Sequence, residues 1–96
     1  MSDSFAIEQT GERCLITGVL DFTTASQALD NLGELVASNA QLQLDFSQVG
    51  RCNSAALALL IELRAIARQQ GHQVSFTDVP DGIRQLAKVC QVDDFI

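Results

Sequence analysis

The residues best placed for chemistry are Asn53 and Ser54, which follow a predicted strand and precede a long apolar segment. Either side chain could cap a helix that starts here, because its short oxygen can accept a hydrogen bond from a free amide of the first turn. A hydroxyl at a helix N-terminus is also a favourable place for a phosphate, since the free amides and the helix dipole stabilise added negative charge. The sequence therefore predicts a cap at Asn53 or Ser54 and a candidate phosphorylation site at Ser54.

Few other residues could support catalysis or bind a metal ion. His72 is the only histidine, and we expect it to be a solvated loop residue because a single histidine cannot form a multi-histidine metal site. Cys14, Cys52 and Cys90 are odd in number and widely spaced, which fits neither a disulfide framework nor a CxxC site. We expect all three to be reduced, small apolar residues. The motifs GxGxxG and GxxxxGK[ST] do not occur, so the sequence predicts a protein that is not an enzyme and holds no cofactor or metal.

Composition and charge narrow the class of protein further. Hydrophobic residues make up 47% and charged residues 19% of the 96 residues, as in ordinary folded domains. The net charge of −6 argues against nucleic-acid binding, and no apolar run approaches the roughly 18 residues that span a bilayer. Residues 1–4 are polar and acidic and lack the apolar core of a signal peptide. We therefore expect one cytoplasmic domain over residues 1–96.

Alternating apolar residues predict four strands, and apolar residues at helical spacing predict three helices. The strands cover residues 4–9, 14–20, 41–46 and 73–77, and the helices begin near Thr24, Ser54 and Asp81. Thr24 with Gln27 fits a capping box, and the last helix carries an apolar stripe that ends at Cys90. Gly18, inside the second strand, indicates a bulge or a close approach by a neighbouring backbone. The central helix should run from residue 54 to 70 and end before Gly71.

The order of these elements predicts how the strands pair. A short turn joins the first two strands into a hairpin, whereas a single helix between later strands implies parallel pairing with right-handed crossovers. In the third strand, Leu42, Leu44 and Phe46 alternate with polar residues such as Asp45. A strand covered on both faces would instead be an unbroken apolar run. We therefore predict an α/β fold with a singly wound, four-stranded mixed sheet. An N-terminal hairpin is followed by βαβαβα in sequential strand order, with the helices mainly on one face.

The start of the central helix is unusually apolar. Residues 55–61 are seven apolar residues in a row, whereas a surface helix needs only an apolar stripe of roughly 100°. The additional apolar surface must be buried from a second side, left exposed, or covered by a partner. The sequence leaves these three alternatives open.

This strand, turn and helix together resemble the signature of STAS domains, the sulfate-transporter and anti-sigma-factor-antagonist family, which reads roughly D-[LF]-S … [VM]-D-[ST]-[SAG]-G-[LV]. The matching residues are Asp45-Phe46-Ser47 and Cys52-Asn53-Ser54-Ala55-Ala56-Leu57. Gly18-Val19-Leu20-Asp21 resembles the family's end of the second strand, and Asp78-Val79-Pro80 resembles its passage into the last helix. The resemblance covers nearly the whole chain and implies the same singly wound α/β fold.

Two branches of the family imply different partners. In anti-sigma-factor antagonists, a partner serine kinase phosphorylates the hydroxyl at the position of Ser54 and so switches partner binding. In the Mla (maintenance of lipid asymmetry) phospholipid transporters, the STAS subunit binds the cytoplasmic ABC ATPase through the same helix start. Here Asn53 replaces the usual acid and Ala56 the usual glycine. These departures disfavour regulated phosphorylation and favour constitutive binding. The short length, the early Gly-Glu turn and the segment Leu86-Ala87-Lys88-Val89-Cys90 resemble the Mla-type branch. The resemblance therefore implies an ABC transporter ATPase as partner, with the phosphorylation-switched antagonist and another STAS-type adaptor as alternatives.

The resemblance implies a partner-binding surface at the start of the central helix. Ser54 and the alanines would allow close contact, any leucine or isoleucine left exposed by the core would add apolar area, and arginines would form a polar rim. Arg64 and Arg68 would share a helix face at i, i+4 spacing. The expected partner-binding residues are Asp21, Arg51, Asn53, Ser54, Ala55, Ala56, Leu57, Ala58, Ile61, Arg64 and Arg68. Membrane association would come only through the transporter complex. An enzymatic function would require a deep polar pocket around Asp45 and Asp21.

Overall fold

Four strands and three α-helices follow one another along the chain, starting with an N-terminal hairpin. The computed structural model describes residues 4–96; residues 1–3, part of the polar start from which we expect no signal peptide, lie outside the described residues. The elements are β1 Phe5–Thr10, β2 Arg13–Leu20, α1 Ala25–Ser38, β3 Gln41–Cys52, α2 Ser54–Gln70, β4 Gln73–Thr77, α3 Asp81–Val89 and a 3₁₀ turn at Asp93–Phe95. The predicted bounds of α2 and β4 are confirmed.

The four strands form one mixed sheet in the order β1-β2-β3-β4. β1 runs antiparallel to β2, whereas β3 runs parallel to both β2 and β4. The tight turn after β1 allows only antiparallel pairing, while each helical connection returns the chain to the end of the sheet from which the previous strand started. The predicted singly wound α/β fold with sequential strand order is confirmed.

The helices cover the face of the sheet toward which the apolar residues of the alternating strands point. α2 lies in the middle of this helical layer, with contacts to both α1 and α3. The largest fully buried side chains come from both layers and are Cys14, Ile16, Leu20, Leu32, Val36, Leu44 and Leu63. The sheet and the two outer helices therefore enclose α2 on three sides.

β3 extends to Cys52 rather than ending at residue 46, because its pairing with β2 continues. The two strands stay paired as far as Leu20 and Cys52, across two register shifts, one of which follows Gly18. Gly18 has a φ of +95°, and a Cβ atom there would lie 2.3 Å from the carbonyl oxygen of Ser4. The predicted close approach at Gly18 is confirmed. The sequence does not predict this extension, because residues 47–52 lack apolar alternation, and backbone pairing with β2 is what holds them in the sheet.

Thr24 precedes α1 but does not form the predicted capping box. Its hydroxyl donates to the carbonyl oxygen of Val19 at 2.8 Å and accepts from the amide of Asp21 at 3.1 Å. It makes no side-chain cap hydrogen bond to the helix, and Gln27 is exposed. Thr24 is buried, and its hydroxyl connects the turn after β2 to that strand through the hydrogen bond to Val19.

Two other side chains lie elsewhere than predicted. Cys90 follows the end of α3 and is exposed, whereas Cys14 is buried and Cys52 half-buried; all three thiols are free. His72 is half-buried rather than solvated, and its Nδ1 lies 3.0 Å from the carbonyl oxygen of Val36. The histidine therefore links the turn before β4 to α1.

Candidate functional site

The start of α2 lies at the edge of the sheet where β2 and β3 both end. Leu20 and Cys52, the last residues of these strands, are paired, and the amide of Asn53 donates to the carbonyl oxygen of Leu20 at 3.3 Å. Since adjacent strands are about 4.8 Å apart, the next residues, Asp21 and Asn53, are neighbours at this edge. The structure thus brings these two residues together, as the sequence predicts.

Asn53, and not Ser54, caps α2. The side-chain oxygen of Asn53 accepts a hydrogen bond from the amide of Ala55 at 2.9 Å, and the Asn53 backbone is extended, with a φ of −140°. Ser54 is the first residue of the helix and is exposed. The alternative left open by the sequence is therefore resolved, and Ser54 is available at the surface.

The apolar start of α2 is buried within the chain. Ala55, Ala56 and Leu57 are 7%, 4% and 6% exposed, because the sheet lies beneath α2 and two helices flank it. The expectation that Ala55, Ala56 and Leu57 contact a partner directly is therefore corrected. Of the three alternatives for the apolar run, burial from further sides accounts for these residues.

An outer stripe of α2 remains at the surface. Ser54 and Ala58 are exposed, and Ile61 is half-buried. Their spacing of i, i+4 and i+7 places them on one face of the helix. This face combines two small side chains with one apolar side chain, so a partner could approach the helix closely here.

Asp21 and Arg51 form an ion pair beside Asn53. Nη2 of Arg51 lies 3.6 Å from Oδ2 of Asp21, while Oδ1 of Asp21 accepts from the amide and hydroxyl of Thr23 at 2.9 and 2.6 Å. The hydrogen bonds from Thr23 lower the pKa of Asp21, and the charge of Arg51 lowers it further. The carboxylate therefore stays ionised and is held in place at the rim of the helix start.

Phe22 lies in the turn between β2 and α1, directly after Asp21, and is 74% exposed. The sequence pattern does not predict this exposure, because residues 21–24 read only as a connection between a strand and a helix. The available signal was an aromatic residue among the polar residues Asp21, Thr23 and Thr24. Phe22 adds an exposed apolar side chain to the rim of the helix start.

Arg64 and Arg68 do not flank the start of α2, from which they lie roughly 15 and 21 Å along the helix axis. Arg64 donates from Nε to the carbonyl oxygen of Phe95 at 3.0 Å and from Nη1 to that of Val74, and its guanidinium lies 4.8 Å from the ring centre of Phe76. The guanidinium of Arg68 lies 5.3 Å from the ring centre of Phe95. The expected rim role of both arginines is corrected, because their side chains contact the C-terminal segment instead.

Asp45 lies on the open face of the sheet, where it is paired and almost fully buried. Its side chain is 4% exposed, and its Oδ2 lies 2.7 Å from Nη2 of Arg13, while its Oδ1 accepts from the amide of Ser47 at 2.9 Å. The hydrogen bond from Arg13 has the largest effect on the pKa of Asp45, and together with the hydrogen bonds from Ser47 it lowers that pKa to about 2. A carboxylate with this pKa is a poor general acid or base at neutral pH.

The cavities and side-chain clusters of residues 4–96 offer little support for chemistry at this edge. A cavity of about 680 Å³ lies beside Arg64, His72 and Gln73, and neither Asp21 nor Asp45 lines it. Within the described residues, no group of three or more His, Cys, Asp or Glu side chains could hold a metal ion. No helix in this part of the chain is sufficiently long and apolar to cross a membrane.

Comparison with protein families agrees with this geometry. A family model described as "Mlab, STAS domain" matches residues 5–96. The chain belongs to the STAS-domain family. The match includes the turn of Phe22, the Asn53 cap and the whole of α2, so the resemblance seen in the sequence is confirmed.

Curated relatives of this STAS domain come from enteric bacteria. Over 89 residues it is 33% identical to the intermembrane phospholipid transport system binding protein MlaB of Escherichia coli K12, which covers 93% of this chain and 90% of that protein. MlaB of Shigella flexneri matches with the same identity and coverage. The similarity therefore extends over nearly the full length of both proteins.

Solved structures of another STAS protein show the same fold. The phosphorylated form of the Bacillus cell-fate determinant SpoIIAA matches with a TM-score of 0.68 at 14% identity, covering 95% of this chain and 86% of that one. Unphosphorylated SpoIIAA, an anti-sigma-factor antagonist, also matches with a TM-score of 0.68, at 15% identity, covering 88% of this chain and 81% of that one. At these identities the similarity establishes the fold alone.

Proposed function

We propose that this STAS domain is the non-catalytic subunit of an Mla-type phospholipid ABC transporter, in which it binds the cytoplasmic ATPase and stabilises or activates it. The observation that carries the proposal is the 33% identity to MlaB over 93% of this chain and 90% of that protein. Residues 1–96 would act as one cytoplasmic domain. Its membrane association would come only through the transporter complex.

The proposed contact is the α2-start surface, which we define as Asp21, Arg51, Asn53, Ser54, Ala58 and Ile61. All of these side chains are exposed or half-buried. The buried alanines beneath them and the Asn53 cap hold the backbone of this surface in one conformation. Such a rigid surface loses little conformational entropy on binding, which favours affinity.

The state of the carboxylates supports a binding role over a catalytic one. The pKa of Asp21 is lowered by Thr23, and that of Asp45 is lowered to about 2 by Arg13 and Ser47. General acid–base catalysis works best with a pKa near the operating pH. Both groups are therefore suited to fixed ion pairs and hydrogen bonds.

Titration calorimetry of the purified domain with the Mla-type ATPase of the same organism tests the proposal. We expect Ser54→Arg to weaken binding at least tenfold, because the long charged side chain would block close approach to the helix. The matched control is the Ser38→Arg variant, which should bind like the parent. Ser38 is an exposed serine at the end of α1 far from the α2-start surface. Lack of binding by the unmodified domain would contradict the proposed function, and equal binding by the Ser54→Arg variant would contradict the α2-start surface.

The exposed position of Ser54 favours one alternative, an anti-sigma-factor antagonist switched by a serine kinase. A phosphate on Ser54 would be stabilised by the helix dipole and would add about two negative charges to the α2-start surface. Mass spectrometry of the tagged protein purified from its own cells separates the two functions. A phosphate on Ser54 together with a bound serine kinase supports the antagonist, whereas unmodified Ser54 with a bound ABC ATPase supports the transporter subunit.

A further inference from the structure

Phe22 differs from every other phenylalanine in the chain. It is 74% exposed, whereas Phe5, Phe46, Phe76 and Phe95 are buried or half-buried. Among residues 4–96, the only other large hydrophobic side chain with comparable exposure is Val89, at 79%. Leaving an aromatic ring in water forfeits the free energy that its burial would contribute. This apolar side chain is therefore available for contact outside the domain.

The turn that carries Phe22 is held by hydrogen bonds on both sides. Before it, the Asp21 carboxylate accepts from the amide and hydroxyl of Thr23, and the Asp21 carbonyl accepts from the amides of Thr24 and Ala25 at 3.1 and 2.9 Å. After it, the buried Thr24 hydroxyl donates to the carbonyl of Val19. The backbone is thus fixed, and binding would restrict only the two side-chain torsions of the ring, which costs little entropy.

The turn also adjoins the α2-start surface. Asp21, the neighbour of Phe22, is paired with Arg51 at 3.6 Å. Leu20, which precedes Asp21, pairs with Cys52, the last residue of β3, and its carbonyl oxygen accepts from the amide of Asn53. Val89 lies at the other end of α3, which starts at this edge and runs back across the sheet by about 1.5 Å per residue. Phe22 therefore extends the proposed contact, and Val89 does not.

We propose that Phe22 is the apolar anchor of this contact and a determinant of partner specificity. It would insert into an apolar pocket on the Mla-type ATPase, next to the contact made by Ser54 and Ala58. Large aromatic side chains that fill a partner's pocket commonly dominate binding energy. A basic border to that pocket would complement both the ionised Asp21 and the net charge of −6. This inference depends on the proposed function, since it names a residue for the same interface.

Calorimetric titration with the purified Mla-type ATPase tests the anchor by comparing Phe22→Ala, Phe22→Leu and Val89→Ala. We expect Phe22→Ala to weaken binding at least tenfold, Phe22→Leu to recover part of the loss because it restores apolar volume, and Val89→Ala to bind within twofold of the parent. Because Phe22 is exposed, the Phe22→Ala variant should unfold at the same midpoint temperature as the parent.

The outcomes separate this inference from the function on which it depends. If Phe22→Ala binds within twofold of the parent while Ser54→Arg loses binding, the α2-start surface stands and the anchor is overturned. If both variants bind the ATPase like the parent, the α2-start surface is misplaced and the anchor falls with it, whereas ATPase binding itself stands. A Phe22→Ala variant that unfolds at a clearly lower temperature, or a parent that self-associates through Phe22, would also overturn the anchor.

Discussion

The 2.9 Å hydrogen bond from the Ala55 amide to the side-chain oxygen of Asn53 sets the beginning of α2. It assigns the capping role to the residue that stands where the family usually has an acid. Ser54, one position later, is exposed and does not need to serve the helix. The cap thus depends on Asn53, while Ser54 is available for the proposed partner contact, so substitutions can test the two roles separately.

We expect Asn53→Ala to lower the free energy of unfolding by about 0.5–2 kcal/mol, because a first-turn amide loses its acceptor. Ser54→Ala should change it by less than about 0.5 kcal/mol. Urea titration followed by circular dichroism measures both values. Asn53→Asp serves as the control, since aspartate is an equally good cap. An equal loss in the two alanine variants would show that both side chains support the helix.

Ala55→Arg should unfold the domain, whereas Ala58→Arg should leave it folded. Ala55 is 7% exposed, so an arginine there would overpack the core and bury a charge, at a cost above about 3 kcal/mol. Ala58 is exposed one turn later and lies on the α2-start surface. Thermal unfolding by circular dichroism distinguishes the two variants. A folded Ala55→Arg variant that loses partner binding would restore Ala55 to the interface.

Asp45 should contribute to the loss of stability in acid. Hydrogen bonds from Arg13 and Ser47 lower its pKa from 3.8 to about 2 in the folded state. A lowered folded-state pKa adds stability that is complete above the unfolded-state pKa and is lost as the pH falls toward the folded-state pKa. The free energy of unfolding should therefore fall between about pH 4 and pH 2.

Urea titrations over this pH range in the parent, Asp45→Asn and Arg13→Gln measure that contribution. Asp45→Asn should flatten part of the slope, and Arg13→Gln should flatten less because the hydrogen bonds from Ser47 remain. The rest of the slope includes Asp21, whose pKa is lowered in the same direction. An Asp45→Asn variant with the slope of the parent would contradict the assignment.

Arg64→Gln should weaken the fold rather than the partner contact. The guanidinium of Arg64 donates to the carbonyl oxygens of Phe95 and Val74, and loss of charged hydrogen bonds of this kind costs about 1.5–3 kcal/mol. Arg68→Gln removes only a contact with the Phe95 ring and should cost less than about 1 kcal/mol. Chemical unfolding and calorimetric titration measure stability and affinity separately. Loss of affinity without loss of stability would return Arg64 to the interface.

Local patterns predicted the fold because each element carries its own signal. The alternation of Leu42, Leu44 and Phe46 identified a strand with one covered face, and the glycine after residue 70 identified the end of α2. Once the order of strands and helices was known, chain connectivity left sequential strand order as the expected arrangement. The predicted end of β3 was wrong because pairing with β2, rather than side-chain alternation, holds the second half of this strand in the sheet.

The site was harder to predict because exposure depends on how the elements pack. Seven apolar residues in sequence do not reveal that α1 and α3 flank α2, and so they did not distinguish the buried Ala55 from the exposed Ala58. The i, i+4 spacing placed Arg64 and Arg68 on one face, but the contact with Phe95 depends on the path of the C-terminal segment. The exposure of Phe22 also depends on packing: its polar neighbours are a local signal, but only the packed fold shows that the core leaves the ring uncovered.

Arg64 also contacts β4 at the outer edge of the sheet. β4 is the last strand in the sheet, and Gln73, whose amide donates to Ala40, faces β3. The next residue, Val74, therefore directs its carbonyl to the outer edge, where an unpaired acceptor would invite another chain to add a strand. The guanidinium of Arg64 occupies that acceptor. The arginine thus removes one free acceptor from the edge at which another chain could add a strand.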